Sequence, residues 1–442
     1  MKIIKTVFGE NGCETEETIL PPAEDDGAEM NVIDVYPDEE RQTLYGFGGA
    51  VTEAAGYVYS SLTEEKKKEL IDAYFGENGL GYTFGRISID SCDFGLGNYG
   101  AKTNETDRFS LSRDEKYVMP LLRDIYGVRR TRLFAAPWSP PPYMKTNNDK
   151  NGGGKLKKEY YAAWAEYMCE YLKAYETAGF DLFAVSVQNE PKAIQPWDSC
   201  LYTAEEEGDF LEHYLYPAMK AYGLGNVRRI VWDHNRERVY ERLKTIYDRL
   251  ADKTAVCGVG YHWYAGDHFG NLSLVGEHYP DLLSVFTEGC IEYSGHACGD
   301  VSSHGIRYAH EIAGCFNHGC NIFIDWNILL DPTGGPNHKN NFCEAPVMAD
   351  GNGGLTYLPA YYAIGHFSRF LQSGAKRVVS SKFSDAADVV SWKNPDGTLA
   401  IAAFCRDGTE RTVTVRFCGK CVVLTLPGKG IVTAVLPEEE YA

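Results

Sequence analysis

Eight apolar segments of four to eight residues each, between positions 43 and 327, alternate with amphipathic stretches of helical period. They are Thr43–Phe47, Tyr82–Ile89, Arg132–Ala136, Leu182–Gln188, Arg229–Trp232, Val256–Tyr261, Leu283–Thr287 and Asn321–Asp325, and each runs into polar or aromatic residues. Strands that are apolar throughout need cover on both faces, and helices returning between them make neighbouring strands parallel. Eight such units are the number at which a parallel sheet closes, so the predicted fold is α/β, a (β/α)₈ TIM barrel over 43–370. Helix starts are marked by capping boxes at Ser61-Leu-Thr-Glu64, ahead of Leu62–Tyr74, and at Thr203-Ala-Glu-Glu206, ahead of a pattern ending at Ala221; a further helix is expected over Tyr160–Ala178.

The pattern changes after about residue 375. Val378–Val379, Asp388–Trp392, Leu399–Cys405, Arg411–Phe417, Val422–Leu426 and Ile431–Leu436 are short strands parted by turn sequences such as Asn394-Pro-Asp-Gly397. Lys2–Phe8 and Asn31–Tyr36 have the same character, so residues 1–42 and 371–442 are expected to share one β-sandwich. The Gly-rich Asn151-Gly-Gly-Gly154 reads as a surface turn.

Forty-three basic against sixty-two acidic side chains leave a net charge of −19, which repels phosphate backbones and anionic bilayers and is indifferent to a neutral sugar. Nucleic acid and stable membrane association are therefore not expected. The first residues lack a secretory signal and no run reaches the ~20 apolar residues of a membrane span. Thirteen cysteines, odd in number and irregularly spaced, fit reduced thiols. Together these features predict a cytoplasmic protein; they leave the oligomeric state open.

Catalytic groups in such a barrel come from the carboxyl ends of strands. Glu190 follows the fourth strand in Val187-Gln-Asn-Glu-Pro191, and Glu288 ends the seventh in Val285-Phe-Thr-Glu-Gly289. Two carboxylates facing each other across the axis suit glycoside hydrolysis, the retaining form needing about 5–5.5 Å between them. Trp138, Trp232, Trp263 and Trp326 fall at or beyond strand ends and Trp197 in the loop after the fourth strand, an aromatic rim suited to the C–H face of a sugar.

Gly46-Phe-Gly-Gly-Ala-Val-Thr-Glu53, Gly85-Arg-Ile-Ser-Ile-Asp-Ser-Cys-Asp-Phe94, Ala136-Pro-Trp-Ser-Pro-Pro-Pro-Tyr-Met-Lys-Thr-Asn147, Gln188-Asn-Glu-Pro191, His262-Trp-Tyr264, Thr287-Glu-Gly-Cys290 and Asp325-Trp-Asn327 with Gly334-Gly-Pro-Asn337 follow one another along nearly the whole chain. In this the sequence resembles glycoside hydrolase family 30, and most of all its glucosylceramidase-like branch. The resemblance implies a barrel with a β-sandwich and double displacement, Glu190 as acid/base and Glu288 as nucleophile. It further implies that Asn189 bonds the sugar 2-hydroxyl, that Arg86, Asp93, Trp138, Trp326 and Asn341 line the terminal-sugar pocket, and that Tyr264 stands near the carboxylates, with His262 and Trp263 completing its motif and His262 read as a hydrogen-bonding pocket histidine. Tyr143 in place of a Trp, and Asn337-His338 in place of an Asn-Trp pair, depart from the family pattern on the expected aglycone side.

These roles predict a raised pKa for Glu190 and an Arg86 that keeps Glu288 anionic or orients it. Rival signals are weaker. Gly46-x-Gly-Gly lacks the third glycine of a dinucleotide loop, which is Val51; Cys418-Gly-Lys-Cys421 lacks a second ligand pair for zinc; no HExxH motif accompanies His262; and Cys92 and Cys290 lack a local activating base. No metal or cofactor is expected. The predicted activity is exo-acting removal of terminal β-linked glucose from a small β-glycoside or oligosaccharide, with β-xylosidase or endo-β-1,6-glucanase action as the alternative, and a carbohydrate-binding protein without turnover as the reading from another class.

Overall fold

The computed structural model describes residues 1–9, 12–293 and 300–441. Gly46–Ala50, Phe84–Ile89, Arg132–Pro137, Asp181–Ser186, Arg228–Asn235, Gly258–His262, Leu283–Glu288 and Ile322–Asn327 pair in chain order, all parallel, and the last pairs with the first to close the barrel. Every expected strand has a counterpart, and the first is the one that moves most. Thr43 and Leu44 end a long sandwich strand, Val32–Leu44, and the barrel begins at Gly46. Gly46, with φ of 142°, makes the change of direction that a side chain at this position would resist.

Two apolar layers hold the barrel. Phe84, Phe134, Phe183, Ile230, Val285, Ile322 and Ile324 fill its interior, and a larger layer including Leu133, Val185, Val231, Val259 and Phe323 packs strands against helices. The helices at 161–177 and 204–221 form as expected, the second opened by a complete Thr203/Glu206 capping box and containing one π-helical turn at Leu211–Leu215. The Ser61 capping box does not form. Ser61 closes the preceding helix Glu53–Ser60, and Thr63 caps the next by accepting from the Lys66 N–H.

The β-sandwich is a ten-stranded sheet folded over its own core, where Ile33, Val35 and Val415 meet Ile401, Val432 and Leu436. Lys2–Gly9 pairs with Gly430–Leu436, and Val32–Leu44 with Ala375–Ser380, so both chain ends build it. Gly12–Ile19 is an edge strand with no apolar pattern in its sequence, because its Glu14, Glu16 and Glu17 face solvent. Asn151-Gly-Gly-Gly154 is less superficial than expected: Gly153 is buried, donates to Ser199 Oγ, and lies beneath Ile194. Cys418-Gly419 turns the hairpin between Arg411–Phe417 and Lys420–Leu426. The twelve cysteines among the described residues are free thiols, Cys298 lying outside them. Among the described residues no helix is long and apolar enough to cross a membrane.

Candidate active site

A cavity of about 200 Å³ opens at the carboxyl ends of the barrel strands, lined by Asp93, Trp138, Asn189, Glu190, Tyr264, Glu288, Trp326 and Asn341 among others. Eight of the ten sequence-predicted site residues thus line one cavity. The other two, Arg86 and His262, are fully buried directly beneath it.

Arg86, from the second barrel strand, ties the floor together. One terminal nitrogen donates to Glu288 Oε2 at 2.9 Å and to the Thr287 carbonyl at 2.7 Å; the other donates to Asn189 Oδ1 at 2.7 Å and Asp233 Oδ2 at 3.1 Å. Above the guanidinium lie the rings of Trp138 and Trp326, stacked at 5.5 Å, so the cation is enclosed by carboxylates and π faces. Tyr264 donates its hydroxyl to Glu288 Oε1 at 3.0 Å, and both oxygens of this carboxylate are therefore fixed.

Glu190 stands on a residue with φ of 47°, in the strained region that a non-glycine residue enters only when its surroundings hold it there. Its Oε1 lies 3.2 Å from His234 Nδ1 and 3.4 Å from His262 Nδ1, and the latter nitrogen is also 3.9 Å from Glu288 Oε1. The two carboxylates converge on one imidazole, their facing oxygens no further apart than those last two distances laid end to end. That accommodates the ~5–5.5 Å of a retaining pair.

The charges are arranged differently from the sequence expectation. Burial drives Glu190 upward, but His234 and His262 outweigh it and hold the carboxyl well below its ordinary range. Burial raises Glu288 in spite of His262 and Arg86. His262 is pulled down by burial and pushed further up, to about 9, by Glu288, Asp233 and Glu190. The His234 and His262 imidazoles thus favour the carboxylate form of Glu190, the reverse of the raised pKa expected for it. The cause is a second histidine, His234, that no motif singled out.

His234 and Asp233, both on the fifth strand, were missed. Asp233 is buried, accepts from Arg86, and lies 3.2 Å from His262 Nε2; burial raises it, but Arg86 and His262 bring it down to about 2. The available signal was weak: an Asp-His-Asn run at the end of a strand already placed there, Trp232-Asp-His-Asn235. Its left-handed Trp232 and Asp233, and the register shifts between Gly260 and His262, re-aim these side chains.

The tryptophan rim is smaller than five. Trp138, Trp197 and Trp326 line the cavity, whereas Trp232 and Trp263 are core residues packed against His234 and Tyr308. Tyr143 lines a separate cavity of about 110 Å³ with Lys102 and Tyr160, away from Glu190. Asn337 and His338 both support Asp93: Asn337 Nδ2 donates to Asp93 Oδ2 at 3.0 Å, and the His338 backbone N–H to the Asp93 carbonyl at 3.2 Å. Burial pushes the Cys92 and Cys290 thiols far up, which makes them packing residues.

The family model described as "Glycosyl hydrolase family 30 TIM-barrel domain" matches residues 44–371, and that described as "Glycosyl hydrolase family 30 beta sandwich domain" matches 374–434. The lysosomal acid glucosylceramidase of Mus musculus is 29% identical over 411 residues, 87% of this chain and 79% of that protein. The crystal structure of SrfJ from Salmonella typhimurium superposes with a TM-score of 0.93 at 37% identity, over 99% of this chain and 100% of that one. A solved endo-β1,6-glucanase, BT3312, has a TM-score of 0.87 at 26% identity and 98% coverage of both chains.

Proposed function

The chain belongs to glycosyl hydrolase family 30, and from that premise we propose that it is an exo-acting, retaining β-glycosidase that removes terminal β-linked glucose from a small glucoside or oligosaccharide. What supports the exo reading is the lining of the cavity, where Asp93, tied to Asn337 and Asn341, and the Trp138/Trp326 stack stand with the two carboxylates in a space of about 200 Å³. On this reading these residues enclose one terminal sugar, and the remainder of the substrate leaves past the acid/base carboxylate.

Glu288 is assigned the nucleophile. Arg86 and Tyr264 hold its oxygens, and its attack on the anomeric carbon breaks the bond to the leaving oxygen and forms a glycosyl ester. Glu190 protonates that oxygen with a proton available from the imidazoles against it, then accepts one from the water that cleaves the ester. Asn189, held by Arg86 through Oδ1, keeps its amide N–H groups for a sugar hydroxyl.

Labelling with a 2-deoxy-2-fluoro-β-glucosyl inhibitor, followed by peptide mass mapping, tests the assignment. The expected ester is on Glu288; an ester on Glu190 exchanges the two roles. A panel of aryl β-glycosides and linear glucans tests the substrate. Faster turnover of aryl xyloside, or internal cleavage of β-1,6-glucan, would replace the glucose-specific exo reading.

A further inference from the structure

We propose that Glu190, His234 and His262 form a binding site for a divalent transition-metal ion, zinc in the first place, seated on the acid/base carboxylate and entered from the sugar cavity. The consequence for turnover rests on the role proposed for Glu190; the site itself rests on geometry.

Glu190 Oε1, His234 Nδ1 and His262 Nδ1 all lie within 4.8 Å of one another, and the two edges from the carboxylate are 3.2 and 3.4 Å. Zinc bonds of about 2.0–2.1 Å at a tetrahedral angle hold ligand atoms about 3.3–3.4 Å apart, so two of the three edges already have the length an ion requires. Both Nδ1 atoms are buried and turn to the same carboxylate oxygen, Glu190 Oε1, so three ligand-type atoms converge on one point. The other nitrogen of His262 faces Asp233 at 3.2 Å, and Asp233 is held in turn by Arg86. A carboxylate behind a histidine fixes the ring and raises its basicity toward a metal. Two histidines and one glutamate leave the fourth position open, here toward the cavity that Glu190 and His234 line, where a water or a sugar hydroxyl completes the tetrahedron. An ion bound to the Glu190 carboxylate keeps that group from carrying a proton to the leaving oxygen, so a bound metal blocks turnover reversibly. Among the described residues the other cluster of ligand-type groups, Asp25, Asp26 and Cys421, includes an exposed Asp and no imidazole.

The full chain, stripped with a chelator, is titrated with zinc chloride by calorimetry and with cobalt(II) by visible absorption. One ion per chain with micromolar affinity and the intense bands of tetrahedral cobalt are expected. His234→Asn and His262→Gln should each weaken binding at least ~10-fold, and Asp233→Asn by ~10–100-fold, with Cys421→Ser unchanged. Zinc should stop aryl glucoside hydrolysis, and chelator should restore it. The absence of stoichiometric binding overturns the site, as does binding that survives both histidine substitutions. Circular dichroism checks folding; should His262→Gln not fold, His234→Asn at the cavity wall decides. A chain that binds zinc but hydrolyses no glucoside keeps the metal site and refutes the substrate reading instead.

Discussion

Arg86 grips Glu288 Oε2 at 2.9 Å with one terminal nitrogen while its other nitrogen holds Asn189 at 2.7 Å, so the residue assigned to attack and the residue assigned to bind the 2-hydroxyl share one guanidinium. A lysine ammonium is a single point and cannot reproduce that fork. Arg86→Lys should lower kcat on aryl β-glucosides by ~10²–10³ with the circular dichroism spectrum retained. Arg86→Ala leaves Asp233 and Glu288 buried against no cation and should cost about 3–5 kcal/mol in urea unfolding. Wild-type kcat in Arg86→Lys would show that the fork is not needed for turnover.

Asp93 lines the pocket, and burial together with the charge of Glu288 pushes it up to about 8 despite the Asn337 and Asn341 amides. A carboxyl whose folded pKa exceeds its unfolded value near 3.8 stabilises the fold fully below that value, and this contribution is lost as pH rises through about 8. Asp93→Asn keeps the shape and removes the titration. Urea unfolding of both proteins at pH 5 and pH 9 should therefore show the balance moving toward the variant at pH 9. An unchanged difference would mean that Asp93 ionises in the folded protein as it does in the unfolded chain.

The barrel was legible because each strand is bounded by breakers and buried on both sides, which leaves eight uninterrupted apolar runs in the sequence. Gly12–Ile19 was not, since an edge strand exposing Glu14, Glu16 and Glu17 has no face to reveal. At the site, carboxylates and aromatics embedded in long motifs could be found, and Glu190, Glu288 and Trp326 do line one cavity. What stayed hidden depends on side-chain direction. Trp232 and Trp263 turn into the core, while the neighbouring Asp233 and His234 turn toward His262 and Glu190 because the backbone at 232–233 is left-handed. The proton distribution followed from that unseen geometry, and so could not be read from residue types.

His366 couples the barrel to the sandwich. It is buried between Thr433 Oγ1 and Thr6 Oγ1, each 2.8 Å from a ring nitrogen, and burial with Arg369 nearby depresses it to about 3. A depressed histidine stabilises the fold above its unfolded pKa near 6.5, and that stability is lost as pH falls toward 3. His366→Gln offers hydrogen bonds without a charge to gain. Its melting temperature should fall less than the wild type's between pH 7 and pH 4.5, as read by differential scanning fluorimetry, and parallel losses would remove His366 from the cause of acid instability.

Gly48 makes a prediction about barrel closure. A Cβ built there would lie 2.5 Å from the Phe84 carbonyl oxygen, inside the hydrogen-bonded seam between the first two barrel strands, where backbone and not a movable side chain is in the way. Gly48→Ala should destabilise the chain by about 1–3 kcal/mol, the usual cost of overpacking a dense core. Gly127, which has nothing within 4 Å of an added Cβ, is the control: it lies inside the helix Val118–Val128, where Gly→Ala gains helix propensity. Urea midpoints for the two variants should move in opposite directions. A Gly48→Ala midpoint equal to the wild type's would show that the seam yields.

Asp233→Asn tests the geometry that the sequence motifs missed. Asp233 presents one oxygen to Arg86 at 3.1 Å and the other to His262 Nε2 at 3.2 Å. Asparagine has a single acceptor oxygen, and if Arg86 takes it the amide N–H faces His262 Nε2, which must then carry no proton. The imidazolium then gives up its Nε2 proton and keeps the one on Nδ1, the atom that faces Glu190, so the ring becomes neutral with its position unchanged. A wrong tautomer in a correct geometry is damaging where a histidine adjoins a proton-transfer group. The substitution should lower kcat by ~10–10³ with little change in KM, and ¹⁵N spectra of the imidazole should show Nε2 deprotonated at a pH where the wild-type ring keeps that proton. If kcat falls with Nε2 still protonated, Asp233 acts through Arg86 instead. If kcat is unchanged, the contact of Asp233 with His262 plays no part in turnover.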